Sequence, residues 1–302
     1  HMVLFDWQNP DIDPELWRTI LWKVENPIAD AEQYYKFLLH AFARATIPGL
    51  KVMLLGSGSD EFNGGYTGSF CAASEDHSWS KFEKVLEGFE RESLLQQSGA
   101  WNRYATLQIH DRPLISRSYL ADIADLNAYE ASWFGYRDMY RRGLQMYQLW
   151  HEDRTSAANG VEARVPFLDH RLVEFTYEIP PQFHHDLFWN KTILRDAMRN
   201  ELPQEFCDRP KTPFFIGDDV RYTRRLIYNL LCARNYSLIG EAIESSPDFV
   251  HVVDKDALWR MVKELPSDPE YSNVDLVLDL VNMGLLSAMG SAPENAPYAW
   301  SG

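Results

Sequence analysis

The chain of 302 residues has little cysteine, no long apolar run and a shortage of basic residues. Its three cysteines, Cys71, Cys207 and Cys232, are odd in number and lack the spacing of zinc ligands, so we expect a reducing cytoplasm and no disulfide framework. No apolar run approaches the roughly 20 residues of a membrane helix, so we expect neither a membrane-spanning helix nor a signal peptide. The 29 basic residues against 44 acidic ones give a net charge of −15, which argues against a nucleic-acid or anionic-membrane partner.

What the chain does contain is a hydrophobic fraction of 45% and an aromatic fraction of 14%, ample for a packed core. No internal repeat, low-complexity tract or clear linker divides it, so we expect a single domain over residues 1–302. Within that domain we expect an irregular arm at 1–29 with a short helix near 15–24, a helical part at 216–290 and a flexible tail at 291–302.

Start and stop signals predict two well-defined helices. Asp30 is an N-cap candidate with glutamine three positions on, and apolar residues follow at helical spacing until Pro48-Gly49 ends the helix. Ser272, with aspartate three positions on, predicts a helix over 274–289 that is apolar on most faces and therefore buried. The aromatic side chains of the long helical pattern at 114–150 are assigned to the core and not to a stacking surface. Further helical patterns cover residues 73–97 and 190–200.

The central feature is a short apolar run that breaks into glycines and then an acidic pair. Residues 52–55 are typical of a strand buried on both faces, and Gly56 and Gly58 end it. Glycines at that point free the backbone to turn and to approach a ligand closely, as at the carboxyl ends of strands in open α/β sheets. Asp60 and Glu61 then lie at the rim. A plain strand followed by a glycine turn and two solvated carboxylates is the alternative interpretation.

This strand lacks an obvious partner in the sequence. A doubly buried strand needs hydrogen-bonded neighbours, yet residues 106–110 and 249–253 are the only candidates. We therefore expect a mostly α protein within the α/β class, with few parallel strands covered by helices.

Two later stretches combine charge with conformational restraint. Arg164, Asp169 and Arg171 surround the apolar residues 165–168, which predicts a partly buried ion-pair network with a scaffolding role. Further on, two prolines stiffen a loop around Lys211, and a stiff loop can hold one lysine in a defined direction. A surface lysine between prolines is the alternative there.

Four blocks of the sequence resemble, in order and rough spacing, the synthetase domain of the asparagine synthetase B family, the ATP-dependent amide formers. The blocks are residues 51–66, 152–175, 190–195 and 208–214. The resemblance covers residues 30–215 and implies the later part of an adenine-nucleotide α-hydrolase-like (ATP pyrophosphatase) synthetase domain. Neither the family's glutaminase domain nor its Ser-Gly-Gly-x-Asp-Ser pyrophosphate loop is found in the sequence. The resemblance therefore predicts a companion chain, or self-association, that supplies the nucleotide loop.

The family's chemistry implies activation of a small carboxylic acid by ATP to an acyl-adenylate, followed by attack of an amine or ammonia. Asp60 matches the family's magnesium aspartate, so ATP and Mg²⁺ are the expected cofactors. Lys211 matches the catalytic lysine, which offsets negative charge on the α-phosphate. Ser57 and Glu61 are the other candidate catalytic residues. The glycines that match those around the family's nucleotide site are Gly56, Gly58, Gly64 and Gly65.

Ser57 is a departure from the family. Asparagine synthetases carry glutamate between these glycines, and the related β-lactam synthetases carry tyrosine. Serine cannot serve as a general base without a partner, so another group has to deprotonate the amine, which argues against aspartate as the acid. Together with the missing loop, Ser57 keeps a second class of function open: a degenerate relative that retains the fold and only binds or scaffolds.

Overall fold

The computed structural model describes residues 12–68, 71, 78–89, 108–109, 112–113, 133–210, 221–246, 249, 253–268, 271 and 273–289. The regular elements are, in chain order, α1 (Pro14–Val24), α2 (Ala31–Thr46), β1 (Val52–Leu54), α3 (Ser59–Asn63), α4 (Trp79–Phe89), β2 (Gln108–Ile109), β3 (Arg112–Pro113), α5 (Trp133–Gly143), α6 (Leu149–Ala157), β4 (Glu162–Arg164), α7 (His170–Glu178), α8 (His184–Phe188), α9 (Thr192–Ala197), α10 (Gln204–Cys207), α11 (Arg221–Ser245), α12 (Lys255–Glu264) and α13 (Val274–Ala288). A π-helical turn, Leu144–Gln148, joins α5 to α6. None of the described helices combines the length and the hydropathy needed to cross a membrane.

The strand β1 has a partner that the sequence did not reveal. It pairs in parallel with β4, with Val52 opposite Glu162. The candidate at 106–110 is wrong, because its described residues form β2, which pairs with β3 in a separate antiparallel ladder. Of the candidate at 249–253, residues 250–252 lie outside the described residues, and neither Phe249 nor Val253 is in a strand. The sequence of β4, Glu-Ala-Arg, has neither an apolar run nor β-branched residues, and it therefore gave no strand signal. The mostly helical class with a small parallel sheet is confirmed.

The prediction that β1 is buried on both faces is wrong. Leu54 is 72% exposed, and Val52 and Met53 are half-buried. Within the described residues the β1–β4 sheet has two strands, and a parallel strand is buried on both faces only where further strands and helices cover it. The apolar side chain of Leu54 in this strand is therefore exposed.

The larger hydrophobic core lies between α1, α2, α11, α12 and α13. Trp17 of α1 is fully buried, and its indole N–H donates to Oδ1 of Asn282 in α13 at 2.9 Å. The side-chain amide of Asn282 donates in turn to the carbonyls of Pro27 and Ala29, each at 2.9 Å. A single buried amide thus joins α13 to α1 and to the segment before α2, with its donors and acceptor satisfied.

The sequence predictions of helix ends are confirmed in part. α1 covers the helix expected near 15–24, and α2 begins with the predicted capping box, in which the side chain of Gln33 accepts from the backbone N–H of Asp30 at 2.6 Å. α13 is buried as predicted, but its N-cap is Asn273, whose side chain makes no capping bond; Ser272 lies outside the described residues.

The helix expected at 190–200 begins later, at Thr192. Asn190 and Lys191 have φ of 49° and 64°, which is left-handed backbone and cannot continue a right-handed helix.

A second, aromatic core joins α4, α5 and α8. Trp133 and Tyr136 are buried in it and stack with ring centroids 5.1 Å apart, which confirms that these aromatic residues belong to the core. Phe188, the last residue of α8, stacks on Trp133 at 4.6 Å. This core therefore fixes the start of the segment that follows α8.

The charged groups around residues 165–168 form exposed pairs, so the prediction of a partly buried network is wrong. Arg164 pairs with Glu162 at 2.9 Å, and Arg171 pairs with Asp169 at 2.8 Å. Each pair joins residues only two positions apart, and both arginines are exposed. Such pairs contribute little to stability because water screens them.

Candidate active site

The turn after β1 is shaped by one glycine in left-handed backbone. Gly58 has φ +90°, and a Cβ built there would lie 2.3 Å from Cδ2 of Leu168. A glycine is therefore required both by the backbone conformation and by the close approach of the segment after β4. The turn ends in α3, which places Asp60 and Glu61 after the carboxyl end of β1. The prediction that Glu61 lies at the rim is wrong, because its side chain is buried.

Asp60 forms an ion pair with a lysine that the sequence interpretation did not single out. The ammonium Nζ of Lys191 lies 2.9 Å from Oδ1 of Asp60 and also donates to Oγ of Ser59 at 3.0 Å. Both charged side chains are about one-fifth exposed, so the pair is partly shielded from water. The signal for Lys191 was present in the block at 190–195, which was used only to recognise the family resemblance.

The segment 64–67 holds the backbone of Asn190 and Lys191 in left-handed conformation. The backbone N–H of Asn190 donates to Oγ1 of Thr67 at 3.0 Å, and Oγ1 of Thr67 donates to the carbonyl of Gly64 at 2.9 Å. Non-glycine residues with positive φ are strained and persist only where their surroundings hold them. Thr67 is one of the groups that holds this turn.

Gly64 and Gly65 are in contact with the same turn. Gly64 has φ +74°, and a Cβ there would lie 1.8 Å from the carbonyl oxygen of Phe188. A Cβ on Gly65 would lie 1.9 Å from Oδ1 of Asp60 and 2.6 Å from Cε of Lys191. These glycines allow the Phe188–Lys191 backbone to approach α3 closely, which is a packing reason for them. Gly56 differs, because it is exposed and a Cβ there would meet no atom within 4 Å.

Glu61, the neighbour of Asp60 in α3, is hydrogen-bonded to Tyr66. It is buried, and its Oε1 accepts a hydrogen bond from the hydroxyl of Tyr66 at 3.1 Å. Burial raises the pKa of Glu61 above its ordinary value. The ring of Tyr66 in turn stacks on Tyr140, with ring centroids 4.6 Å apart. Ser57 is half-buried in the turn between β1 and α3.

Lys211 lies outside the described residues, but the chain that leads to it is anchored beside the Lys191 turn. Arg195 of α9 donates from Nε to the carbonyl of Asn190 at 2.9 Å. Its Nη1 donates to the carbonyls of Cys207 and Arg209, each at 2.6 Å. One guanidinium therefore joins the turn that carries Lys191 to the start of the proline loop.

The described side chains at the end of β1 could bind a magnesium ion only together with further ligands from a nucleotide. Among the described residues, no group of three or more His, Cys, Asp or Glu side chains is placed to hold a metal. Mg²⁺ in nucleotide sites commonly uses one or two protein carboxylates plus phosphate oxygens and water. Asp60 can supply one such carboxylate, so the chemistry fits an ion carried in with phosphates and not a closed protein cage.

Comparison with known proteins decides the family. Residues 8–284 match the family model described as asparagine synthase. The chain belongs to the asparagine synthase family. Over 294 residues, 96% of the chain, it is 42% identical to "Asparagine synthetase [glutamine-hydrolyzing] 2" of Bacillus subtilis (strain 168). It is 29% identical over 190 residues to "Asparagine synthetase [glutamine-hydrolyzing] 3" of that bacterium, and 38% identical over 79 residues to "Asparagine synthetase [glutamine-hydrolyzing]" of Homo sapiens.

These matches cover very different shares of the proteins compared. The chain spans 38% of the length of the first Bacillus relative, 29% of the second and 14% of the human protein. The second match covers 61% of the chain and the human match 25%. No solved structure matches the chain.

Proposed function

We propose that this chain is the later part of an ATP-dependent ligase that joins an amine or ammonia to a small carboxylic acid. The observation that carries the proposal is the contact of Asp60 with Lys191 at 2.9 Å, at the carboxyl end of β1. It brings two of the four family blocks together at the edge of a parallel sheet, where ligands of α/β proteins bind. Family membership supports the same chemistry.

In the proposed reaction a carboxylate oxygen of the acid attacks the α-phosphorus of ATP, and pyrophosphate leaves. The amine nitrogen then attacks the acyl carbon of the adenylate, AMP leaves with the bonding electron pair, and the amine loses a proton to a base. Adenylation is needed because a free carboxylate is a poor electrophile. Lys191 and Lys211 are the proposed cations that offset charge on the phosphate oxygens, a role suited to a compact ammonium.

Asp60 is the residue proposed to hold Mg²⁺, which when bound would neutralise charge on the phosphates. In the described residues Asp60 is paired with Lys191, so the carboxylate is already positioned before any ligand arrives. A fixed carboxylate loses less conformational freedom on binding a cation than a mobile one does.

Glu61 fits the role of base for the amine proton better than Ser57 does. Burial raises the pKa of Glu61, and a carboxylate with a raised pKa is a stronger base at neutral pH. Ser57 has no such property, and its position between β1 and α3 is compatible with a contact to the substrate. We therefore propose Glu61 as the base for the amine proton and Ser57 as a contact to the substrate.

The second edge of β1 is the proposed contact with a companion segment that carries the pyrophosphate loop. The peptide groups of Lys51 and Leu55 bond towards β4, as in Glu162 N–H to Lys51 O and Leu55 N–H to Arg164 O, both at 2.8 Å. In the pleat of a strand the peptide groups of Val52 and Leu54 therefore face the other edge. The side chain of Leu54 is 72% exposed. Within the described residues the sheet has two strands, and an apolar strand at the edge of such a sheet is an association site.

The test is to identify the products of ATP cleavage. The chain is assayed alone and together with the polypeptide encoded immediately upstream, with ATP, Mg²⁺, pools of small carboxylic acids, and ammonia or amines. AMP and pyrophosphate that form only when an acid is present, together with an amide product, are the expected result. Formation of ADP and phosphate, or no cleavage with any acid, would contradict the ligase and support the degenerate scaffold.

A further inference from the structure

A buried arginine lies near aromatic rings from two elements of the candidate site, and its charge has no carboxylate partner among the described residues. Arg137 of α5 is fully buried. Its Nη1 donates to the carbonyl of Thr176 at 2.8 Å, its Nη2 donates to Oγ1 of Thr176 at 2.6 Å, and its Nε has no hydrogen-bond partner. Burial lowers the pKa of Arg137 to about 10, which still leaves it charged at neutral pH.

The guanidinium is enclosed by aromatic rings instead of by anions. Its Cζ lies 3.7 Å from the ring centroid of Tyr177, 5.6 Å from that of Phe62, and 5.7 Å from those of Trp133 and Phe188. The faces of aromatic rings attract a cation, and the attraction is larger where water is excluded. The four rings and the two hydrogen bonds to Thr176 together compensate for the buried charge.

Two of the four rings come from residues that lie within three positions of Asp60 or Lys191 in the sequence. Phe62 lies in α3, two positions after Asp60, and Phe188 ends α8, three positions before Lys191. The carbonyl of Phe188 also occupies the place that a Cβ on Gly64 would take. The guanidinium of Arg137 thus lies between a ring of α3 and a ring at the end of α8 and attracts both.

We propose that Arg137 is a positioning residue, which through the rings of Phe62 and Phe188 holds the carboxylate of Asp60 and the ammonium of Lys191 in contact. Its role in catalysis rests on the ligase function proposed above, whereas its effect on the ion pair does not. An apolar side chain of similar length could fill the space but would lack the positive charge that attracts the faces of the rings. The charge of Arg137, and not its volume, is therefore what aligns the pair.

The ion pair itself provides a readout that needs no enzymatic activity. The lysines of the chain are reductively methylated with ¹³C-formaldehyde, which keeps their positive charge, and the methyl signals are recorded by NMR. Loss of one signal in Lys191→Arg assigns Lys191, and the shift of that signal in Asp60→Asn shows its position when the carboxylate charge is absent. Both reference variants change groups at the site surface and leave the core volume intact.

Arg137→Met is expected to move the Lys191 signal in the same direction as Asp60→Asn, and Arg137→Lys is expected to keep it closer to that of the parent chain. Arg142→Met is the matched control: the same substitution on the same helix, at an arginine that pairs with Asp138 at the surface. It should leave the Lys191 signal unchanged. A folded Arg137→Met chain with the parent signal would overturn the proposal.

Should Arg137→Met fail to fold by near-UV circular dichroism, Phe62→Leu takes its place, because it removes one ring and keeps an apolar side chain. An unchanged Lys191 signal in folded Phe62→Leu would equally overturn the proposal. In the ligase assay, Arg137→Met should lower kcat on the order of 10- to 100-fold and change KM for ATP less. A parent protein without ligase activity would contradict the proposed function alone, since the NMR result still decides the role of Arg137.

Discussion

Substitution of Gly64 by alanine tests how closely the backbone of Phe188, just before the left-handed turn at Asn190 and Lys191, packs on Gly64. The added Cβ would lie 1.8 Å from the carbonyl oxygen of Phe188 and 2.7 Å from its carbonyl carbon, so the backbone of Phe188 has to move. Left-handed backbone costs an alanine about 1–2 kcal/mol, and overpacking in a tight region costs about 1–3 kcal/mol. We therefore expect Gly64→Ala to lower the free energy of unfolding by about 2–5 kcal/mol.

Gly49→Ala separates the two contributions. Gly49 has φ +77°, close to the +74° of Gly64, but a Cβ there would meet no atom within 4 Å. It should therefore show the backbone cost alone. Urea unfolding followed by circular dichroism gives both values, and the difference between them, about 1–3 kcal/mol, is the cost of displacing Phe188. Equal losses for the two variants would refute the close contact between Gly64 and Phe188.

Two further predictions concern pH and association. Burial raises the pKa of Asp30 to about 6, so as the pH rises from about 4 to 6 this carboxyl group ionises first in the unfolded chain, which lowers the stability of the folded chain. Asp30→Asn keeps a good N-cap, and across that window its free energy of unfolding in urea should rise by up to ~3 kcal/mol relative to the parent. A difference that does not depend on pH would contradict this prediction. Burial also lowers the pKa of His151 to about 4, which makes the free energy of unfolding rise with pH in the same range. The parent and the variant share this effect, so the difference between them reports Asp30 alone. Exposed Leu54 predicts self-association through β1, which light scattering should detect and Leu54→Lys should reduce, whereas a monomeric parent chain would count against it.

The sequence was most informative where local signals and structure agree. The glycine turn after β1 and the acidic pair were located from the change of an apolar run into glycines, and α2 was predicted from its capping box. These features depend on residues within a few positions of one another, so the pattern that predicts them is complete in the sequence.

The features that the sequence interpretation missed depend on contacts between distant segments. β4 has no strand pattern of its own, and it is a strand because β1 pairs with it. Lys191 contacts Asp60 from a turn in which Asn190 and Lys191 both adopt left-handed backbone, which asparagine tolerates but lysine rarely adopts. Propensity alone would have continued the helix through them, and the contacts of Thr67 and Gly64 decide otherwise.

The most direct test of the central claim, that a carboxylate and the lysines act on one ligand, is the magnesium dependence of pyrophosphate release. It is measured at saturating ATP and acid, in the assembly that supplies the pyrophosphate loop, for the parent, Asp60→Asn, Lys211→Ala and Lys211→Arg. Asp60→Asn should raise the Mg²⁺ concentration needed for the half-maximal rate, while Lys211→Ala should mainly lower the rate at saturating Mg²⁺, and Lys211→Arg should not fully restore it. Parent-like rates and parent-like magnesium dependence in both Asp60→Asn and Lys211→Ala would contradict the account.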